Sequence, residues 1–144
     1  MNPVKGVDHI GIAVRSIEAH RAFYEGVLGA RFEGVEDVPD QKVRVAFFAL
    51  GSGESAVRLE VLEATSPESP IAQFIENRGE GLHHVAYAVT GLRERLEALA
   101  RDGFRLIDRA PRAGARGARI AFIHPKSSLG VLTELCEHGP AAHA

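Results

Sequence analysis

The stretch Asp8-His9-Ile10-Gly11-Ile12-Ala13-Val14 returns 75 positions later as His83-His84-Val85-Ala86-Tyr87-Ala88-Val89. Both copies alternate small with bulky residues at a period of two, the pattern of a strand with two unlike faces. His9, Gly11 and Ala13 share one face of the first copy, and Ile10, Ile12 and Val14 share the other. In the second copy His84, Ala86 and Ala88 oppose Val85, Tyr87 and Val89. The bulky faces suit packing against helices. A histidine set among glycine and alanine leaves room, which a lined cavity needs and a filled core does not show.

Outward from each strand, a helix-period stripe follows: Ile17, Phe23, Val27 and Leu28 in the first half, Leu92, Leu96, Leu99 and Ala100 in the second. Gly29 and Gly103 stand where C-terminal caps belong. Extended segments are then expected at 31–33, 43–50 and 57–62, and again at 104–107, 119–124 and 131–137. The repeat is therefore βαβββ, twice. Residues 63–80 join the copies and carry a short helix, with Ser69 as N-cap and Pro70 as first helical residue before Ile71, Phe74 and Ile75. The expectation is one α+β domain over residues 1–144, with module one at 7–62, a linker at 63–80 and module two at 81–137. A four-stranded sheet with one helix buries only one face well. Two modules packed side by side would form a curved, open-barrel-like mixed sheet around a central cleft. Residues 1–6 and 138–144 read as loose ends.

At 144 residues the chain can bury a core without staples. Its only cysteine, Cys136, excludes an internal disulfide and a cysteine-built zinc cage, and its apolar neighbours suggest an inert buried thiol. A net charge of −2 and a pI near 6.4 speak against a nucleic-acid or anionic-membrane surface, leaving a small molecule as the expected partner. Residues 1–30 lack the charged start and apolar stretch of an export signal, and no apolar run would span a membrane, so a cytoplasmic location is expected.

The closing strands add carboxylates: Glu60 within Val57-Arg58-Leu59-Glu60-Val61-Leu62, and Glu134 within Val131-Leu132-Thr133-Glu134-Leu135-Cys136. Glu60 follows His9 by 51 residues and Glu134 follows His84 by 50, so each module supplies the same two groups. Pseudo-twofold packing would gather His9, Glu60, His84 and Glu134 into an N2O2 set suited to a divalent transition metal with open positions, hence to catalysis. His83 falls on the other face of its strand. His20, His138 and His143 read as solvated, and His124, before Pro125, as a candidate for lining the cleft. From Arg109 to Lys126 the chain carries Arg109, Arg112, Arg116, Arg119 and Lys126 without one acidic residue.

The segments Asp8 to Val14, Ser69-Pro70-Ile71-Ala72, Gly79-Glu80-Gly81-Leu82-His83-His84-Val85-Ala86, Ile120 to Ser127 and Gly130 to Leu135 are similar to those of the methylmalonyl-CoA epimerases. These enzymes form a family within the vicinal-oxygen-chelate superfamily. The resemblance covers nearly the whole chain. It implies interconversion of the C2 epimers of methylmalonyl-CoA through proton abstraction and return. It also implies a homodimer and a divalent ion, cobalt before manganese, nickel or zinc. By position, His9, His84 and Glu134 fall on the family's metal ligands, and Glu60 stands where the fourth is glutamine or glutamate. Some members place a further glutamate, proposed as a base, where this chain has Val45; valine cannot take a proton. The related glyoxalases are thought to use metal-bound glutamates on opposite sides of the ion as bases, so the resemblance implies Glu134 and Glu60 as the catalytic pair. Arg112, Arg116, Arg119, His124 and Lys126 are expected to meet the coenzyme A phosphates, which arginine forks and lysines bind well. A glyoxalase I-type lyase acting on a glutathione hemithioacetal would use similar ligands and the same proton chemistry. A ring-cleaving dioxygenase fits less well, because its Fe(II) site takes two histidines and one carboxylate. A metal-free ligand-binding or resistance protein would not need the matched His and Glu pairs.

Overall fold

A computed structural model describes residues 2–53 and 56–139. His143 lies outside the described residues, so its expected solvation is not addressed. The fold is α+β and is built from two βαβββ modules. The elements run β1 (Gly6–Val14), α1 (Ile17–Arg21), β2 (Arg31–Val38), β3 (Val43–Leu50), β4 (Val57–Ala64), α2 (Pro70–Arg78), β5 (Gly81–Ala88), α3 (Leu92–Arg101), β6 (Arg112–Ala113), β7 (Arg119–Ile123) and β8 (Thr133–Glu137). The chain forms two compact units, one from His9 to His83 and the other from the chain on either side of it.

In the His9–His83 unit, β4 lies between β1, to which it is parallel, and β3, to which it is antiparallel, and β2 continues the sheet beyond β3. Ile10, Ile12 and Val14 point to the helix side. There they meet Ala46, Phe48, Leu59 and Val61 of the neighbouring strands and Ile17 and Tyr24 from the helix, forming one apolar cluster. Ser16 starts α1 by accepting from the Ala19 N–H at 3.3 Å, while Glu63 of β4 accepts from the Ile17 N–H at 2.9 Å. The helix then widens into a π-helical turn over Ala22–Val27, where the Leu28 N–H reaches the Phe23 carbonyl at 3.1 Å. Helix α2 begins as expected, with Ser69 as N-cap accepting from the Ile71 N–H and Pro70 in the first turn.

The other unit repeats the scheme: β8 is parallel to β5 and antiparallel to β7, and β6 pairs with β7. Val89, Leu92, Leu96, Ala121, Ile123 and Leu135 make its apolar cluster. Helix α3 has no side-chain N-cap. Gly91 holds that position at φ 63°, a conformation that glycine adopts without strain, and the Glu137 carboxylate accepts from the Gly91 N–H at 2.8 Å. Glu63 and Glu137 thus pin the helix of their own unit from the same place on the closing strand. Replacing Glu137 by Gln, which trades a charged acceptor for a neutral one, is expected to lower stability by about 1 kcal/mol. In urea unfolding this should appear as a lower midpoint at unchanged slope; an unmoved midpoint would mean that the contact contributes nothing.

Three expectations need correction. Of the expected first helical stripe only Ile17 is buried, because the π-helical turn exposes Phe23, Val27 and Leu28 and turns Tyr24 inward instead. The extended segment at 104–107 is not a strand: Leu106 makes an isolated bridge to Ile123, and the Ile107 and Asp108 N–H groups both converge on the Phe122 carbonyl, which bends the chain away. The short β6 takes the edge position instead. Nor is the beginning of the chain loose, because Arg95 donates to the Asn2 carbonyl and the Lys5 N–H to that of Ala88 at 2.7 Å. No helix among the described residues is long and apolar enough to cross a membrane.

Candidate functional site

Strand register decides which side chains share a face. In the His9–His83 unit, Glu60 stands opposite Gly11 on β1 and Phe47 on β3, with Leu62 opposite Ala13 and Val45 one pleat further. The face away from the helix therefore presents His9, Glu60, Phe47 and Val45 around the small Gly11 and Ala13. His9 Nδ1 lies 3.1 Å from Glu60 Oε2, with both groups buried. Val45 is 2% exposed on this face, so the position where some relatives carry a glutamate is apolar and sealed.

In the other unit, Glu134 stands opposite Ala86 on β5 and Phe122 on β7. His84 Nε2 lies 3.4 Å from Glu134 Oε1, again with both groups buried. The Phe122 ring meets that of His84 edge-on at 5.4 Å. Each unit thus builds the same half-site: a buried imidazole against a buried carboxylate, with a small residue on one side of the carboxylate and a phenylalanine on the other. Each imidazole lies against its carboxylate within an otherwise apolar strand, where burying charge is costly unless it is paired or coordinated. Imidazole nitrogen with carboxylate oxygen is a donor set that divalent first-row metals accept.

Phe47 and Phe122 are absent from the residues singled out by sequence. They carry a readable signal, because Val45-Ala46-Phe47-Phe48 and Ile120-Ala121-Phe122-Ile123 stand at the same 75-residue offset as the histidines.

His83 does face away from His84, against Phe74 with ring centres 4.9 Å apart. Burial, reinforced by the Arg78 charge, lowers its pKa to about 4. Two other histidines differ from expectation. His20 is held rather than solvated, its Nδ1 at 2.8 Å from the Ser16 carbonyl and its Nε2 at 3.4 Å from Glu80, which the end of the linker brings across. His138 contacts both Cys136 and Asp8.

The basic stretch is divided in its duties. Arg112 Nε lies 3.0 Å from Asp108, and its guanidinium sits 5.6 Å over the Phe122 ring. Arg119 donates to the Pro111 carbonyl at 2.9 Å and so braces the hairpin. Arg109, Arg116 and Lys126 are exposed. His124 is drawn into its own turn, its Nδ1 accepting from the Lys126 N–H at 3.0 Å. Desolvation, with the charges of Arg105 and Lys126, holds its pKa below the ordinary histidine value.

Residues 8–122 match the family model described as the glyoxalase/bleomycin resistance protein/dioxygenase superfamily. The chain is 52% identical over 91% of its length to the uncharacterized protein YqjC of Bacillus subtilis, covering 91% of that protein. It is 36% identical to the ethylmalonyl-CoA/methylmalonyl-CoA epimerase of Cereibacter sphaeroides, over 90% of this chain and 95% of the relative. A solved structure of a methylmalonyl-CoA epimerase in complex with methylmalonyl-CoA and ammonium superposes with a TM-score of 0.90 at 32% identity, covering 97% of this chain and 99% of the other.

Proposed function

Because the chain belongs to the glyoxalase/bleomycin resistance protein/dioxygenase superfamily, we propose that it is a metal-dependent acyl-CoA epimerase that interconverts (2R)- and (2S)-methylmalonyl-CoA. The observation that carries this reading is the doubled half-site, His9 with Glu60 and His84 with Glu134, in a chain similar over nearly its whole length to epimerases of these substrates. Both half-sites are taken as one ligand set for one ion, and the N2O2 chemistry of the four donors suits cobalt or manganese. When bound, such an ion supplies Lewis acidity toward the thioester and carboxylate oxygens, contributing several kcal/mol to the developing negative charge.

The rest falls to side chains. Epimerisation needs a base on one face of C2 and an acid on the other, and in this chain Glu134 and Glu60 are assigned those roles. Val45 offers no alternative group. Phe47 and Phe122, each in register with one of these carboxylates, keep water from them and so sharpen their electrostatics. Of the basic residues expected to meet the coenzyme A phosphates, Arg116 and Lys126, both exposed, take that role in this reading, while Arg112, Arg119 and His124 keep the internal contacts described above.

The test is incubation of cobalt-loaded protein with one epimer in deuterated water, following deuterium at C2 and formation of the other epimer. Uptake with inversion, abolished by a chelator, is expected. Absence of both from metal-replete protein, with turnover of methylglyoxal and glutathione instead, would replace the epimerase with a glyoxalase-type lyase.

A further inference from the structure

Beyond Glu134 on β8, the same strand face continues through Cys136 to His138 just past the strand's end. Cys136 Sγ lies 3.3 Å from His138 Nε2, and that same nitrogen lies 3.0 Å from Asp8 Oδ1. All three residues belong to one unit. Cys136 is 2% exposed, whereas the side chains of Asp8 and His138 are 12% and 33% exposed, so the cluster is sealed at its sulfur end and open at its imidazole end.

A single ring nitrogen presents either one proton or one lone pair, and here two groups crowd it. Thiol, imidazole and carboxylate are also the three donor types that zinc-class cations take together, and all three ligate when deprotonated at the donor atom. Around a tetrahedral ion, with metal–sulfur near 2.3 Å and metal–nitrogen near 2.0 Å, sulfur and nitrogen stand about 3.5 Å apart and nitrogen and oxygen about 3.3 Å. The observed separations are shorter by a few tenths of an ångström, an adjustment within reach of side-chain rotation at His138.

The geometry points to a second metal site, formed by Asp8, Cys136 and His138, that binds a thiophilic divalent cation such as zinc through one sulfur, one nitrogen and one oxygen. A fourth position, on the exposed side, is left for water or an added ligand. Its three donors are other than those of the His9–Glu60 and His84–Glu134 pairs, and its readout, a sulfur-to-metal band, does not depend on epimerase activity.

Cobalt(II) reports on it directly, because thiolate ligation produces a near-ultraviolet charge-transfer band that imidazole and carboxylate ligands do not. Titration of the metal-free full-length protein is expected to raise this band with one equivalent of cobalt, and zinc is expected to erase it. Cys136→Ser should abolish the band. His138→Ala and Asp8→Asn, on the open side where the fold is less at risk, should each weaken that equivalent at least tenfold. His84→Ala should leave the band intact. A folded wild-type protein saturated with cobalt but lacking the band would overturn the proposal, as would a band indifferent to His138→Ala and Asp8→Asn.

Discussion

Glu134→Gln is expected to slow exchange of the C2 proton of methylmalonyl-CoA by roughly 10²–10⁴-fold, the usual worth of a positioned general base. Glutamine preserves the size of a side chain that is 4% exposed between Ala86 and Phe122, and it keeps an oxygen donor, so the fold and metal content should hold while the proton acceptor is lost. Glu60→Gln should impair the reaction from the opposite face of C2. With one epimer supplied, one variant should lose deuterium uptake and inversion together, whereas the other should retain some uptake without inversion. Wild-type exchange in both variants, at full metal occupancy measured by elemental analysis, would remove the two glutamates from the chemistry. The metal readout matters because a variant that merely dropped its ion would also be inactive.

The second large effect concerns the core. Phe48 is fully buried, with ring centres 5.3 Å from Tyr24 and 5.4 Å from Phe32, so it joins the helix to two strands of its unit. Phe48→Ala should cost about 3–5 kcal/mol through lost burial and the cavity left behind. For a chain of this size that lowers Tm by on the order of 10 °C. Calorimetry showing a shift of only a degree or two would mean that the surroundings collapse into the space. Phe47, the next residue, points to the opposite face. Its removal should bear on the half-site more than on this cluster.

Most of the strands were legible because their two faces meet different surroundings, and alternation records that difference residue by residue. The 43–50 strand appears with its expected limits, and the Ser69-Pro70 start of α2 was written in local chemistry. The segment at 104–107 misled because four residues flanked by turns carry little alternation. Phe104 and Ile107, apolar in sequence, turn out largely exposed. The π-helical turn was invisible for another reason: it depends on whether one N–H reaches one residue further back, a choice made by packing around Tyr24. At the candidate site, the pairing of each histidine with a glutamate was readable from their matched spacing. The roles of Glu63 and Glu137 were not, because each acts on a helix 46 residues away in sequence.

The two hydrogen bonds that hold Asn2 and Lys5 against Arg95 and Ala88 bear on how the protein is made. During synthesis β1 to β4 are all translated before Ala88 and Arg95. The first residues must wait, since their partners are translated some ninety residues later. Closing so long a loop adds little to the equilibrium cost, because that cost grows only with the logarithm of length, but it fixes an order of events. The start of the chain cannot settle before Ala88 and Arg95 are made, and an extension fused there would burden those late contacts.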